Sequence, residues 1–173
     1  MEEFAGTVFI ATSLDGFIAR PDGDVSWLTP EGVELGDTGY DALLAGVDTL
    51  VMGRGTYQAV LGFGEWPFPG RRVLVLSTTL PGDDDRVEVH RSLPAVVDAL
   101  RACGARRVYV DGGRTVQAFL DAGLIADITV TVAPVLLGTG IPLFGSSGRE
   151  FPLVHRETRV LGGGFVQSSY DVA

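Results

Sequence analysis

Val108-Tyr109-Val110-Asp111-Gly112-Gly113-Arg114-Thr115-Val116-Gln117-Ala118-Phe119-Leu120-Asp121 is the stretch on which the fold turns. Residues 107–110 (RVYV) form a short β-rich run of the kind a strand shows when both its faces are covered. Val116, Phe119 and Leu120 then recur at helical spacing, so residues 116–120 predict a helix. A buried strand, a glycine pair and a helix make half of a βαβ unit, and that unit implies a parallel sheet. Reading toward the N-terminus, residues 7–12 (TVFIAT) predict a first strand followed by a Gly-, Asp- and Pro-rich loop over 13–24. Residues 36–45 carry Tyr40, Leu43 and Leu44 at helix-compatible spacing. After them come a buried strand at 48–52 (DTLVM), a helix at 56–61 opened by Gly53, a strand at 72–76 (RVLVL), an acidic turn at 81–85 and a short strand at 87–89. An amphipathic helix is predicted over 93–102, from apolar residues at 93, 96, 97 and 100.

Toward the C-terminus the alternation stops. A long strand is predicted over 127–137, then an antiparallel pair, 152–159 and 165–170, joined around the glycines at 162–164. Strands alternating with helices first and a hairpin last predict a three-layer α/β fold: a mostly parallel central sheet, helices on its flanks and a C-terminal antiparallel hairpin at one edge. The triple Asp83 to Asp85 reads as a solvated loop.

Composition narrows the functional classes. The 173 residues suit one domain, with 46% hydrophobic residues and 24 Gly and 9 Pro spread along the chain. A net charge of −9 sets most of the surface against nucleic acid and anionic membranes. All 13 basic residues are Arg. An anion must therefore be held by guanidinium groups, hydroxyls or backbone N–H groups, and lysine imine chemistry is excluded. Cys103 stands alone, and His90 and His155 read as structural, so no metal site is expected. No apolar run approaches the length of a membrane span, and Met1-Glu2-Glu3 is acidic, which makes the cytoplasm the expected location.

Three junctions carry residues suited to ligand chemistry: Gly53-Arg54-Gly55-Thr56-Tyr57, Ser77-Thr78-Thr79 and Gly112-Gly113-Arg114-Thr115. In an open α/β sheet all three fall at the carboxyl ends of strands, where ligands bind. Glycines before a helix let a phosphate approach the backbone, and the helix start presents free N–H groups and partial positive charge. Residues 112–115 suit a pyrophosphate, with a plain tight turn as the alternative. Arg54, with the hydroxyls of Thr56 and Tyr57, could meet a second phosphate. Residues 77–79 could meet a ribose 2′-phosphate or simply terminate a strand. Neither the Rossmann glycine motif nor a Walker lysine motif is present. Ser13-Leu14-Asp15-Gly16 follows the first strand, and Asp15 could donate a proton, accept a substrate hydrogen bond or merely make a turn. Glu31 and Asp41 are further acidic candidates.

The order of motifs SLDGFIARPDGDVSWL, VMGRGTY (51–57), VLVLSTTL (73–80) and VYVDGGRTVQAFLDAGLIADITVTVAPVLLGTGIPLFG (108–145) resembles the dihydrofolate reductase family of the riboflavin-pathway type. It is similar to the C-terminal reductase domain of the bifunctional deaminase-reductase, over roughly residues 6–172. The resemblance implies NADPH across the strand ends, with 53–57 and 112–113 around the phosphates and 77–79 near the 2′-phosphate. It also implies a nicotinamide near Ala11 to Ser13 and the loop Gly16 to Ile18, a substrate beside Asp15, and a homodimer. On this reading Asp15 is the catalytic residue, and Ser13, Asp15 and Glu31 meet the substrate. Ala11, Gly16, Ile18, Gly53, Arg54, Thr56, Tyr57, Ser77, Thr78, Thr79, Gly112, Gly113, Arg114 and Thr115 meet the cofactor.

Departures from the family pattern bear on substrate. In dihydrofolate reductases the catalytic acid follows a tryptophan by about five residues. Here that position after Trp27 is Gly32, next to Glu31. A zinc-binding deaminase half has no counterpart in these residues. Arg20 and Arg114 are the basic groups expected near a substrate phosphate. The expected activity is reduction of 5-amino-6-(5-phosphoribosylamino)uracil, a pyrimidine of the riboflavin pathway. Dihydrofolate reduction, a non-catalytic nucleotide-binding module and an oligomeric scaffold are the alternatives.

Overall fold

The computed structural model describes residues 4–173, so the acidic Met1–Glu3 lies outside the described residues. Ten strands and four α-helices follow one another along the described residues. They are β1 (Ala5–Ser13), β2 (Phe17–Ala19), α1 (Tyr40–Gly46), β3 (Thr49–Gly53), α2 (Arg54–Leu61), β4 (Arg72–Leu76), β5 (Glu88–His90), α3 (Leu93–Ala102), β6 (Arg107–Asp111), α4 (Gly113–Asp121), β7 (Ile125–Ala133), β8 (Ile141–Pro142), β9 (Leu153–Val160) and β10 (Val166–Val172). Eight strands form one sheet in the order β5-β4-β3-β6-β1-β7-β10-β9. Every pair from β5 to β7 is parallel, whereas β10 is antiparallel to both β7 and β9. This is the predicted architecture.

The pleat sorts each buried strand between two cores. Val108 and Val110 of β6, Val51 of β3 and Leu74 of β4 pack with Val96 and Leu100 of α3 and Val116 and Phe119 of α4. Their neighbours Tyr109, Leu50, Met52, Val73 and Val75 turn the other way, toward Tyr57 and Val60 of α2 and Leu43 and Leu44 of α1. Each such buried side chain stabilises the fold by roughly 1.5–3 kcal/mol. A third, smaller cluster of Trp27, Ala133 and Phe165, backed by Val33 and Leu35, fixes the loop after β2 to the end of β7 and the β9–β10 turn.

Several boundaries differ from the sequence reading, each for a local reason. Helix α1 begins at Tyr40, not 36, because Gly36 and Gly39 take left-handed φ values of 79° and 81°. Strand β7 starts at Ile125 and ends at Ala133, where Pro134 removes a ladder donor. Helices α2 and α4 begin at Arg54 and Gly113, two and three residues before the apolar periodicity becomes visible. The ribbon β2–β8, with Phe17 opposite Pro142 and Ala19 opposite Ile141, went unpredicted. No helix among the described residues is long and apolar enough to cross a membrane.

Candidate active site

The chain runs outward through β3, β4 and β5, then returns to insert β6 between β3 and β1. The carboxyl ends of β3, β4 and β6 therefore share one edge of the sheet, the position at which open α/β sheets bind ligands. Helices α2 and α4 both start at this edge, and neither N-cap, Gly53 or Gly112, makes a side-chain capping hydrogen bond. Their first-turn N–H groups remain available to an anion.

The two glycine junctions pack against each other. A β-carbon on Gly112, whose φ is +97°, would stand 2.9 Å from Thr56 Oγ1. One on Gly53 would stand 2.9 Å from Thr115 Oγ1. Thr115 is buried and fills this contact, which accounts for its residue type through packing. Gly113 admits a second neighbour, since its β-carbon would lie 2.4 Å from the carbonyl oxygen of Pro142 and 3.6 Å from Ile18 Cδ1. The β2–β8 ribbon thus sits over the start of α4, bringing Gly16 and Ile18 toward the glycine pair, and Leu143 N–H donates to the Gly16 carbonyl at 3.0 Å.

Arg54 Nη1 donates to Thr79 Oγ1 at 2.8 Å, joining the first junction to the second. Arg91, which sequence reasoning overlooked, donates from Nη1 to the Ser77 carbonyl at 2.9 Å. Two guanidinium groups therefore flank the 77–79 turn, on which Thr78 and Thr79 are exposed. Arg114 is exposed in the first turn of α4 and makes no hydrogen bond or ion pair among the described residues.

Local bonding engages four of these side chains within the protein itself. Ser77 Oγ accepts from the amides of Thr79 and Leu80, so it builds the turn. Tyr57 is buried, and its hydroxyl donates to Asp84 Oδ2 at 2.6 Å, well inside the protein's own network. Asp84 also pairs with Arg86, and these donors hold its carboxyl far below the usual range. The central residue of the acidic turn is thus structural, and Asp83 and Asp85 remain exposed. Arg20 is paired with Asp24 and bonded to Ser26, which removes it as a free phosphate donor.

The Ser13–Asp15 loop is likewise committed to structure. Ser13 is 1% exposed, donates to Asp15 Oδ1 at 2.6 Å and accepts from Phe17 N–H at 3.0 Å. Asp15 also accepts from the amides of Leu137 (3.1 Å) and Gly138 (2.8 Å). The Ser13 hydroxyl above all, with those amides, lowers the Asp15 pKa, so Asp15 stays ionised and is a poor proton donor. Ala11 is half-buried on β1 beside Thr131. Glu31 is exposed in the loop before α1 and is tied to none of the strand ends by a hydrogen bond or ion pair among the described residues.

A different carboxyl has a raised pKa. Asp111 ends β6 immediately before the glycine pair, partly buried beside Tyr109, and accepts from Gly112 N–H at 2.8 Å. Desolvation raises its pKa to about 6, with the Gly112 bond and Tyr109 offsetting part of the effect. The sequence signal was present in Asp-Gly-Gly, but the glycines drew the attention. His90 Nε2 is buried 3.7 Å from Glu88, and His155 Nε2 bonds Thr158, so each histidine sits in a local structural setting. No group of three His, Cys, Asp or Glu among the described residues could hold a metal ion.

Sheet order, ligand-facing edge and C-terminal hairpin together define a protein of the dihydrofolate-reductase-like α/β class. More narrowly, the chain belongs to the RibD C-terminal domain family, whose model matches residues 5–166. A crystal structure of a candidate riboflavin biosynthesis protein from Shewanella sp. PV-4 is 39% identical and superimposes with a TM-score of 0.86, covering 98% of this chain and 99% of that one. The uncharacterized protein YwjB of Bacillus subtilis is 31% identical over 159 residues, 90% of this chain and 91% of YwjB. The riboflavin biosynthesis protein RibD of Mycobacterium tuberculosis is 34% identical over 141 residues, 74% of this chain but only 41% of RibD.

Proposed function

We propose that this protein is an NADPH-dependent reductase that passes a hydride to a C=N or C=O carbon of a small heterocyclic or sugar-derived substrate. The favoured substrate is 5-amino-6-(5-phosphoribosylamino)uracil. The observation that carries this reading is the Arg54–Thr79 bond, which sets a guanidinium and a hydroxyl beside two helix starts without side-chain caps. Arg54, Arg91, Thr78 and Thr79 have the charge and hydrogen-bonding capacity to hold a ribose 2′-phosphate, and the starts of α2 and α4 suit a pyrophosphate. The nicotinamide, when bound, supplies the hydride. Asp111, whose carboxyl takes up a proton near pH 6, lies at the same edge, and Arg114 is free to meet a substrate phosphate. Asp15 acts indirectly, by fixing the loops that close around the reacting groups. The reading includes a homodimer joined through β9 and β10, of which β9 is exposed along nearly its entire length among the described residues.

The test is a titration with NADPH and then NADH, followed by energy transfer from Trp27 and Trp66, on the protein and on Arg54→Gln. The expected result is tighter binding of NADPH, with Arg54→Gln weakening NADPH about tenfold and NADH little, the loss of one charge-assisted bond. Equal affinity for both nucleotides would remove the NADPH assignment. Binding of neither would remove the reductase reading altogether.

A further inference from the structure

We propose that Tyr40 is a positioning residue for Asp111: from the start of α1 its ring closes an aromatic box over the end of β6 and keeps water off the Asp111 carboxyl. The box begins with the strands. Alternation along β6 puts Tyr109 and Asp111 on one face. Met52 of β3 lies directly across from Asp111 and is fully buried. On the other side the pairing of Thr7 with Tyr109 brings Phe9, two residues further along β1, to the level and face of Asp111. Three strands thus set a thioether and two aromatic rings about the carboxyl, whose backbone donor is Gly112 N–H. Tyr109 commits its phenol hydrogen elsewhere, to the Phe9 carbonyl at 2.9 Å.

The fourth wall comes from outside the sheet. The Tyr40 ring centroid lies 6.0 Å from that of Phe9 and 6.5 Å from that of Tyr109, the latter pair meeting edge-on at 74°. Burial, and after it the charge of Asp111, raises the Tyr40 phenol above its ordinary value, and Tyr109 responds in the same way. Both rings are therefore close enough to feel the carboxyl. A carboxylate enclosed by rings loses hydration without gaining a partner, so its charged form is disfavoured. The titratable groups facing it are these two phenols, neutral across the pH range in which Asp111 titrates, while β1 and β3 present Phe9 and Met52. Arg71 and Asp41 act on Tyr40 with opposite sign.

The start of α1 is anchored independently of the ring. Gln167 of β10, 4% exposed, donates from Nε2 to the Thr38 carbonyl at 3.0 Å and to Thr131 Oγ1 at 3.0 Å. Removal of the Tyr40 ring therefore opens the box while this anchor remains. The part that Asp111 plays in the reduction rests on the reading above; its enclosure does not.

Carboxyl 13C signals of protein labelled at aspartate follow the titration directly, with Asp111→Asn identifying the signal. In the unsubstituted protein Asp111 is expected to titrate at about pH 6, and the Tyr40 ring signals should shift with the same midpoint. Tyr40→Ala should lower the proton affinity of Asp111 about tenfold, whereas Tyr40→Phe, which keeps the ring and lacks the hydroxyl, should leave it in place. An unchanged midpoint in Tyr40→Ala, or a loss in Tyr40→Phe as large as in Tyr40→Ala, would overturn the proposal. So would Tyr40 ring signals that ignore the titration in the unsubstituted protein, a result that needs no variant to fold. A lowered midpoint in Tyr40→Ala with no matching shift in the pH profile of kcat would support the enclosure and remove Asp111 from the reduction.

Discussion

Asp111 shows how one side chain can be placed at the expense of stability. Burial raises its pKa from the ordinary carboxylate value to about 6. Between pH 4 and 6 the folded chain therefore keeps a proton that the unfolded chain has lost. Stability from this group is complete below pH 4, falls as pH rises to about 6, and is level above. The whole effect is at most about 3 kcal/mol for a shift of roughly two units. Asp15, Asp84 and Glu88 carry lowered values and act in the opposite direction, gaining stability as pH rises through the acid range. Comparison of the protein with Asp111→Asn isolates the one group. The asparagine side chain keeps an acceptor for Gly112 N–H and has no charge to desolvate. Urea unfolding from pH 4 to 8 should show the variant more stable by roughly 1–3 kcal/mol above pH 6.5, with the difference vanishing near pH 4. The same variant should bind NADPH and lose turnover, as expected if the carboxyl passes on a proton in the reaction. Parallel pH profiles for the two proteins would show that Asp111 is not desolvated.

At the scale of elements, the features that shape the site are contacts between segments remote in sequence. The β2–β8 ribbon rests on the start of α4 because Gly113 has no side chain to hold it off. In Gly113→Ala the new β-carbon would meet the Pro142 carbonyl, so either the ribbon lifts or α4 shifts. A destabilisation of about 1–3 kcal/mol is expected. Hydrogen exchange should quicken at the Leu143 amide, which the ribbon bonds to Gly16, with little change in the amides of α3. Unchanged exchange at Leu143 would mean that the ribbon does not depend on this approach. The same distinction separates what the sequence made legible from what it did not. Strands β3, β4 and β6 were readable because strands covered on both faces appear as unbroken apolar runs, and α3 because Leu93, Val96, Val97 and Leu100 mark one face. Strands β2 and β8, of three and two residues, are too short to show any period. The clustering of Arg54 with Thr79 followed from the strand-end rule. The capture of Leu137 and Gly138 by Asp15, of Tyr57 by Asp84 and of Thr115 by Gly53 did not, because local pattern carries no information about such pairings. Each of these residues looked like a ligand contact for the same reason that it is a structural one: it has a hydrogen-bonding or compact side chain at a strand end.

For the molecule as a whole, the uneven covering of the sheet is what asks for a partner. Strands β3, β4 and β6 are buried on both faces, whereas β9, the final edge strand, is exposed along nearly its entire length. Leu153 is 44% exposed, Val154 56%, Val160 77% and Val166, opposite Val160, 36%. An uncovered edge carrying β-branched residues invites pairing or aggregation unless something blocks it. With a net charge of −9 on each chain, indiscriminate association is opposed, and the proposed contact between two copies would cover these side chains. Sedimentation at micromolar concentration should accordingly give twice the chain mass of 18.3 kDa. Val160→Glu would place a charge in the apolar contact, with a penalty of a few kcal/mol and a loss of roughly a hundredfold or more in dimer affinity. The variant should sediment as a monomer with an unchanged circular-dichroism spectrum, and its melting temperature should be independent of concentration, whereas that of the unsubstituted protein should rise with it. A protein that is monomeric before the substitution, or a variant that remains dimeric after it, would mean that β9 and β10 do not form the contact; monomer formation with a folded spectrum would locate the interface on this hairpin, away from the edge that carries Arg54, Thr79 and Asp111.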